Sequence, residues 1–117
     1  MVPQTKIDTY ILDQKAKSTK SKETTDYNQL KRFLSSKNEM REIEMIPPKE
    51  LDNYLCQFFM TAKTLKGKLY EPDTLTSFRN SYQRILESKN SSYDLKGGQD
   101  FLNSRKVLSA RRKELTK

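Results

Sequence analysis

Histidine and tryptophan are absent from this chain, and cysteine occurs once, at Cys56. With one thiol there is no internal disulfide, and without histidine there is neither a Cys/His zinc site nor an acid–base scheme built on imidazole. No Gly-rich phosphate loop, HExxH-type signature, strand pair or internal repeat is present. No 18 apolar residues run together, so no membrane-spanning helix is expected, and the N-terminus lacks the basic-then-apolar pattern of a signal peptide. These absences point to a reduced intracellular compartment and leave the enzymatic menu nearly empty. The lone Cys56, flanked by Leu55 and Phe58, reads as a core side chain.

What is present is polar and basic. Hydrophobic residues make up 33% of the 117 residues and charged residues 32%, enough apolar surface for one modest core. The formal charge is +8. Residues 1–50 hold 10 basic and 8 acidic side chains and residues 51–117 hold 13 and 7, so most of the excess lies in the later part. Such a field attracts polyanions, with nucleic acid the commonest, although an acidic protein or an anionic lipid surface answers the same description. The absence of tryptophan argues against the lipid surface.

Residues 1–24 are rich in Lys, Ser and Thr, bury little, and are expected to form a flexible basic tail. Within them KAKSTKSK at 15–22 reads as solvated tail, a phosphate-touching arm or a nuclear import signal, which would place the protein in the nucleus. The ordered part, 25–117, begins at Thr25 or Asp26 as an N-cap, ahead of a helix with Tyr27, Leu30, Phe33 and Leu34 on one stripe. Pro47 and Pro48 stop any helix before them and open the next. From Pro48 to about Leu65, the residues Leu51, Tyr54, Leu55, Phe58, Phe59 and Ala62 repeat at helical spacing, with Lys66 and Gly67 ending the element. A third helix spans Pro72 to Ser88, with Leu75, Phe78, Tyr82, Ile85 and Leu86 inward. Past Gly97 and Gly98 a fourth carries Phe101, Leu102, Val107, Leu108 and Leu115. The expectation is an all-α fold, a small orthogonal bundle of about four helices.

Three groups carry possible chemistry. The last helix, RKVLSARRKELTK at 105–117, sets six basic residues against one acid; it reads as a phosphate-contacting helix or as a solvated amphipathic one. The third helix offers Thr74, Thr76, Ser77, Arg79, Asn80, Gln83 and Arg84, side chains that hydrogen-bond phosphates and base edges but that also furnish ordinary surfaces. Tyr70, Tyr82 and Tyr93 lack the cations and general acid that a tyrosine nucleophile needs, so they read as packing or turn-anchoring residues.

The order of features from Pro47 onward carries more than any one of them. The segments ELDNYLCQFF, KGKLYEPDTL, FRNSYQRIL and FLNSRKVLSARRKEL together resemble the N-terminal core-binding region of Crypton-type tyrosine recombinases and their domesticated relatives, such as the zinc-finger MYM-type proteins. The resemblance covers about 70 residues, from Pro47 to Lys117. It implies a SAM-like helical bundle that clamps one side of duplex DNA while a separate catalytic domain clamps the other. The family's catalytic arginines, lysine, H-x-x-R element and tyrosine lie beyond Lys117, so no catalytic residue is carried over and no enzyme activity is expected. It also implies Gly67, Tyr70, Pro72 and Leu75 as the turn that starts the third helix, and Arg79, Arg84, Arg105, Arg111, Arg112 and Lys113 as DNA-facing cations. Double-stranded DNA is the expected partner, with the catalytic domain of a longer parent or another protein as further ones. No cofactor, metal, membrane or small-molecule substrate is expected. The alternative is a protein-interaction module of a transposon-derived transcription or chromatin protein.

Overall fold

The computed structural model describes residues 22–64 and 66–116. The described residues form four α-helices: α1 over 22–36, α2 Pro48–Thr61, α3 Pro72–Ser88 and α4 Leu102–Leu115. Single 3₁₀ turns at Ile43–Met45 and Gln99–Phe101 join α1 to α2 and lead into α4. The fold is an all-α bundle, and among the described residues the only extended pairing is one isolated bridge, Lys63 with Leu69.

Proline sets two of the helix starts. Pro48 and Pro72 each occupy the first turn of their helix, where the missing N–H has no intrahelical partner to lose and the fixed φ suits the helix. Two helix ends share a sequence device. Leu34-Ser35-Ser36-Lys37-Asn38 closes α1 and Leu86-Glu87-Ser88-Lys89-Asn90 closes α3. In each, the asparagine takes a left-handed conformation, φ 62° at Asn38 and 60° at Asn90. The next N–H then returns to the leucine carbonyl, Glu39 to Leu34 at 2.9 Å and Ser91 to Leu86 at 2.9 Å. The serine hydroxyls donate three residues back, Ser36 to Phe33 at 2.6 Å and Ser88 to Ile85 at 2.7 Å. Carbonyls that the helix leaves open are thereby satisfied twice over at each end.

The core forms from the inward stripes of all four helices, including Leu30 and Leu34 of α1, Leu51, Leu55 and Phe59 of α2, Leu75, Tyr82 and Leu86 of α3, and Leu108 of α4. Phe58 is the hub, with ring centroids 5.7 Å from Phe33, 5.9 Å from Phe78 and 6.1 Å from Tyr82, so one side chain joins three helices. α4 packs chiefly on α2 and, less extensively, on α3.

Polar groups fix how the helices meet. Asp26 of α1, 6% exposed, accepts hydrogen bonds from Lys22 Nζ at 2.7 Å and Ser81 Oγ at 2.5 Å, and its carbonyl accepts from Tyr82 at 2.9 Å. Asp52 of α2 accepts the Ser104 N–H at 2.9 Å, so a buried carboxylate from one helix caps the positive end of another. Gln83 holds the loop after α3, accepting from the Leu95 N–H at 2.6 Å and donating to the Tyr93 carbonyl at 3.1 Å. Within that loop a Cβ on Gly98 would stand 2.6 Å from the Asp94 carbonyl oxygen, a closeness only glycine accepts.

The α3 limits match the sequence expectation at both ends, and two boundaries elsewhere are corrected. Residues 22–24 belong to α1 rather than to a tail, and Asp26 is a buried mid-helix tie rather than a cap; residues 1–21, including most of KAKSTKSK, lie outside the described residues. α2 ends at Thr61, not near Leu65, because Ala62 turns extended and the chain enters the Lys63–Leu69 bridge, with Gly67 at φ 80° in the turn. Leu102, expected inside, is 41% exposed. Cys56 is half-buried rather than sealed in the core, and burial raises its thiol pKa.

Candidate nucleic-acid interface

The six cations singled out in the sequence do not form one surface. On α4, Arg105 and Arg112 are seven residues apart and share a face. That face meets α3 at Arg79 and Thr76: the charges of Arg105 and Arg112 act on Arg79, and Arg112 donates to the Thr76 hydroxyl. Arg79, Arg105 and Arg112 therefore lie near one another along the α3–α4 seam, all three half-buried.

Arg79 is the least compensated of the three. Among the described residues no carboxylate lies within ion-pair distance of it, and its hydrogen bonds go to its neighbour Asn80 Oδ1, at 3.3 and 3.4 Å. Its pKa is lowered, first by burial and then by the positive charges of Arg105 and Arg112. The guanidinium stays charged at any working pH, so it is partly buried near two like charges with no carboxylate in ion-pair range among the described residues. Arg105 donates to the Gly98 carbonyl at 2.6 Å, and Arg112 also donates to Asp73 Oδ1 at 3.2 Å. The Asp73 side chain is 95% exposed, so that ion pair is solvent-screened and neutralises the seam weakly.

The other three sit apart. Arg84, five residues past Arg79, faces α1, where its Nε donates to Glu23 at 2.8 Å and a terminal nitrogen donates to Ser81 Oγ at 3.2 Å. Arg111 pairs with Glu114 at 2.9 Å, and its Nε is buried without a hydrogen-bond partner. Both are internally committed. Lys113 is exposed, with no carboxylate in ion-pair range among the described residues, and Lys106, which sequence reasoning passed over, lies one heptad before it on the same α4 face.

The polar set on α3 divides in the same way. Thr76 and Asn80 lie beside the seam arginines. Ser77 accepts from Lys22 of α1 at 2.6 Å, and buried Gln83 holds the following loop. The three tyrosines each tie two parts of the chain together: Tyr82 bonds the Asp26 carbonyl, Tyr93 the Ile46 carbonyl at 2.8 Å, and Tyr70 the Gln29 side chain at 3.3 Å. Among the described residues no group of three His, Cys, Asp or Glu side chains is placed to hold a metal ion, and no helix is long and apolar enough to cross a membrane.

No protein-family model, no curated protein and no solved structure matches the chain.

Proposed function

We propose that this chain is a DNA-binding module that grips duplex DNA through its phosphates along the α3–α4 seam. The observation that supports this most is the Arg79, Arg105 and Arg112 cluster: three guanidiniums held together by the fold with one exposed carboxylate among them. Gathering like charges costs energy in the free protein, and a phosphate backbone offsets that cost. Arginine forks match phosphate oxygens bidentately, while exposed Lys106 and Lys113 extend the positive strip as point charges. Thr76 and Asn80 add neutral donors at its edge, which suits backbone contacts better than base readout.

The resemblance to the core-binding region of Crypton-type tyrosine recombinases agrees with this reading, and under it the module serves as a DNA clamp without catalytic groups of its own. Fluorescence anisotropy of a labelled duplex at two salt concentrations tests it. With about four phosphates neutralised, affinity falls roughly a hundredfold over a fourfold rise in salt. A response flat in salt, or no binding at low salt, removes the DNA reading and leaves a protein-interaction module.

A further inference from the structure

A second cationic feature lies away from the seam. Between α1, the end of α2 and the turn that leads into α3 is a cleft of about 280 Å³ lined by Gln29, Arg32, Phe33, Phe58, Lys63 and Tyr70. Its volume is at the small end of ligand sites, near the size of a single nucleotide unit rather than an extended ligand.

The rings are held in place. Phe33 meets Phe58 edge-on at 5.7 Å and Tyr70 meets Phe78 edge-on at 5.0 Å; both are half-buried and line the cleft, with Lys37 Nζ 5.6 Å from the Phe33 ring centroid. Packing has already removed their rotamer freedom, so stacking on them carries little further ordering cost. Arg32 and Lys63 are exposed, and among the described residues neither has a carboxylate within ion-pair distance. Gln29 Oε1 accepts from Arg32 and from the Tyr70 hydroxyl, which leaves its amide NH₂ without a hydrogen bond to any described residue.

A ligand that suits all three features has a flat π face, an acceptor edge for the Gln29 amide, and a negative group within reach of two cations. We propose that this cleft takes one unstacked nucleotide of a DNA strand, its base against Phe33 and Tyr70 and its phosphate between Arg32 and Lys63. A fully paired duplex hides its base faces, so the cleft engages single-stranded or opened DNA while the seam engages the duplex. The proposal deepens the nucleic-acid reading and rests on it for the source of the nucleotide.

The test compares the full chain with two variants, F33L and R32Q/K63Q, by anisotropy on a labelled single strand of about 12 nucleotides and on the corresponding duplex. F33L keeps apolar packing and removes the π face, and circular dichroism verifies that each variant is folded. Each variant is expected to weaken single-strand binding about tenfold and to leave duplex affinity unchanged. Adenosine 5′-phosphate displaces the single strand from the wild-type protein, and inorganic phosphate at the same concentration does not. Equal losses on strand and duplex, an unaffected F33L, or equal displacement by bare phosphate would overturn the proposal. Failure of the seam reading is distinguishable: duplex binding is then missing in the wild type, while the single-strand response to F33L persists.

Discussion

Arg79 and Arg84 lie five residues apart on one helix, yet their surroundings give them opposite roles. Arg84 is matched by Glu23 and Ser81, whereas Arg79 lies in the field of two more arginines with no carboxylate in reach among the described residues. Glu39 shows the matched case in its strongest form. Arg41 donates to both its carboxylate oxygens at 2.8 Å and Tyr54 donates at 3.2 Å, and these bonds, the Arg41 ones first, hold its carboxyl down at about 2. A depressed carboxylate pKa stabilises the fold above the ordinary carboxylate range and ceases to do so as pH falls through the folded value. The wild type is therefore expected to lose thermal stability from about pH 4.5 down toward pH 2, and E39Q to show a shallower loss over that window, with a Tm at pH 7 a few degrees lower. Calorimetry across that range checks both; equal pH slopes would remove Glu39 from the account. Asp52→Ala leaves the Ser104 N–H uncapped and is expected to cost about 1–2 kcal/mol, read from urea unfolding.

At the scale of elements, the asparagine stops of α1 and α3 make a specific claim. Asn38→Ala and Asn90→Ala each force a Cβ residue without a compensating amide into left-handed backbone, and each is expected to cost about 1 kcal/mol. Asn→Gly at the same positions is expected to be neutral within about 0.5 kcal/mol, because glycine accepts that conformation freely. Chemical unfolding of the four variants checks the pattern, and an alanine as stable as glycine contradicts it. Much at this scale was legible in the sequence. The inward stripes of α2 and α3 follow from spacing, and Pro72 marked the start of α3. The end of α2 was not legible, since Ala62 keeps the apolar period after the backbone has left the helix for the Lys63–Leu69 bridge. Ile43, Ile46 and Leu95 are also buried core residues, yet none sits in a periodic run, because a 3₁₀ turn and a loop deliver them. Sequence spacing allowed Arg105, Arg112 and Lys113 along one face of α4, whereas only Arg105 and Arg112 turn toward the seam, and that Arg79 of α3 lies near them depends on how two helices dock, which no local pattern encodes.

For the molecule as a whole, charge is divided by the fold into committed and available parts. Glu23, Glu39, Glu42, Glu44 and Glu114 are drawn into pairs with Arg84, Arg41, Lys31, Lys89 and Arg111. The seam keeps its excess. The all-α bundle that the sequence implies is the one observed, and the fold divides the six cations of the sequence list: Arg79, Arg105 and Arg112 lie along the seam, Arg84 and Arg111 are internally paired, and Lys113 is exposed.

Two double variants of equal net charge test the central claim most directly, R79Q/R112Q in the seam and R84Q/R111Q outside it, titrated with duplex DNA across a series of salt concentrations. If phosphates are bound along the α3–α4 seam, R79Q/R112Q loses about ten- to a hundredfold in affinity at low salt and its log–log salt slope shrinks by about two, while R84Q/R111Q stays within about threefold of wild type. Equal losses in the two variants would mean that net charge alone draws the DNA, and a seam variant that binds as wild type would contradict the account outright.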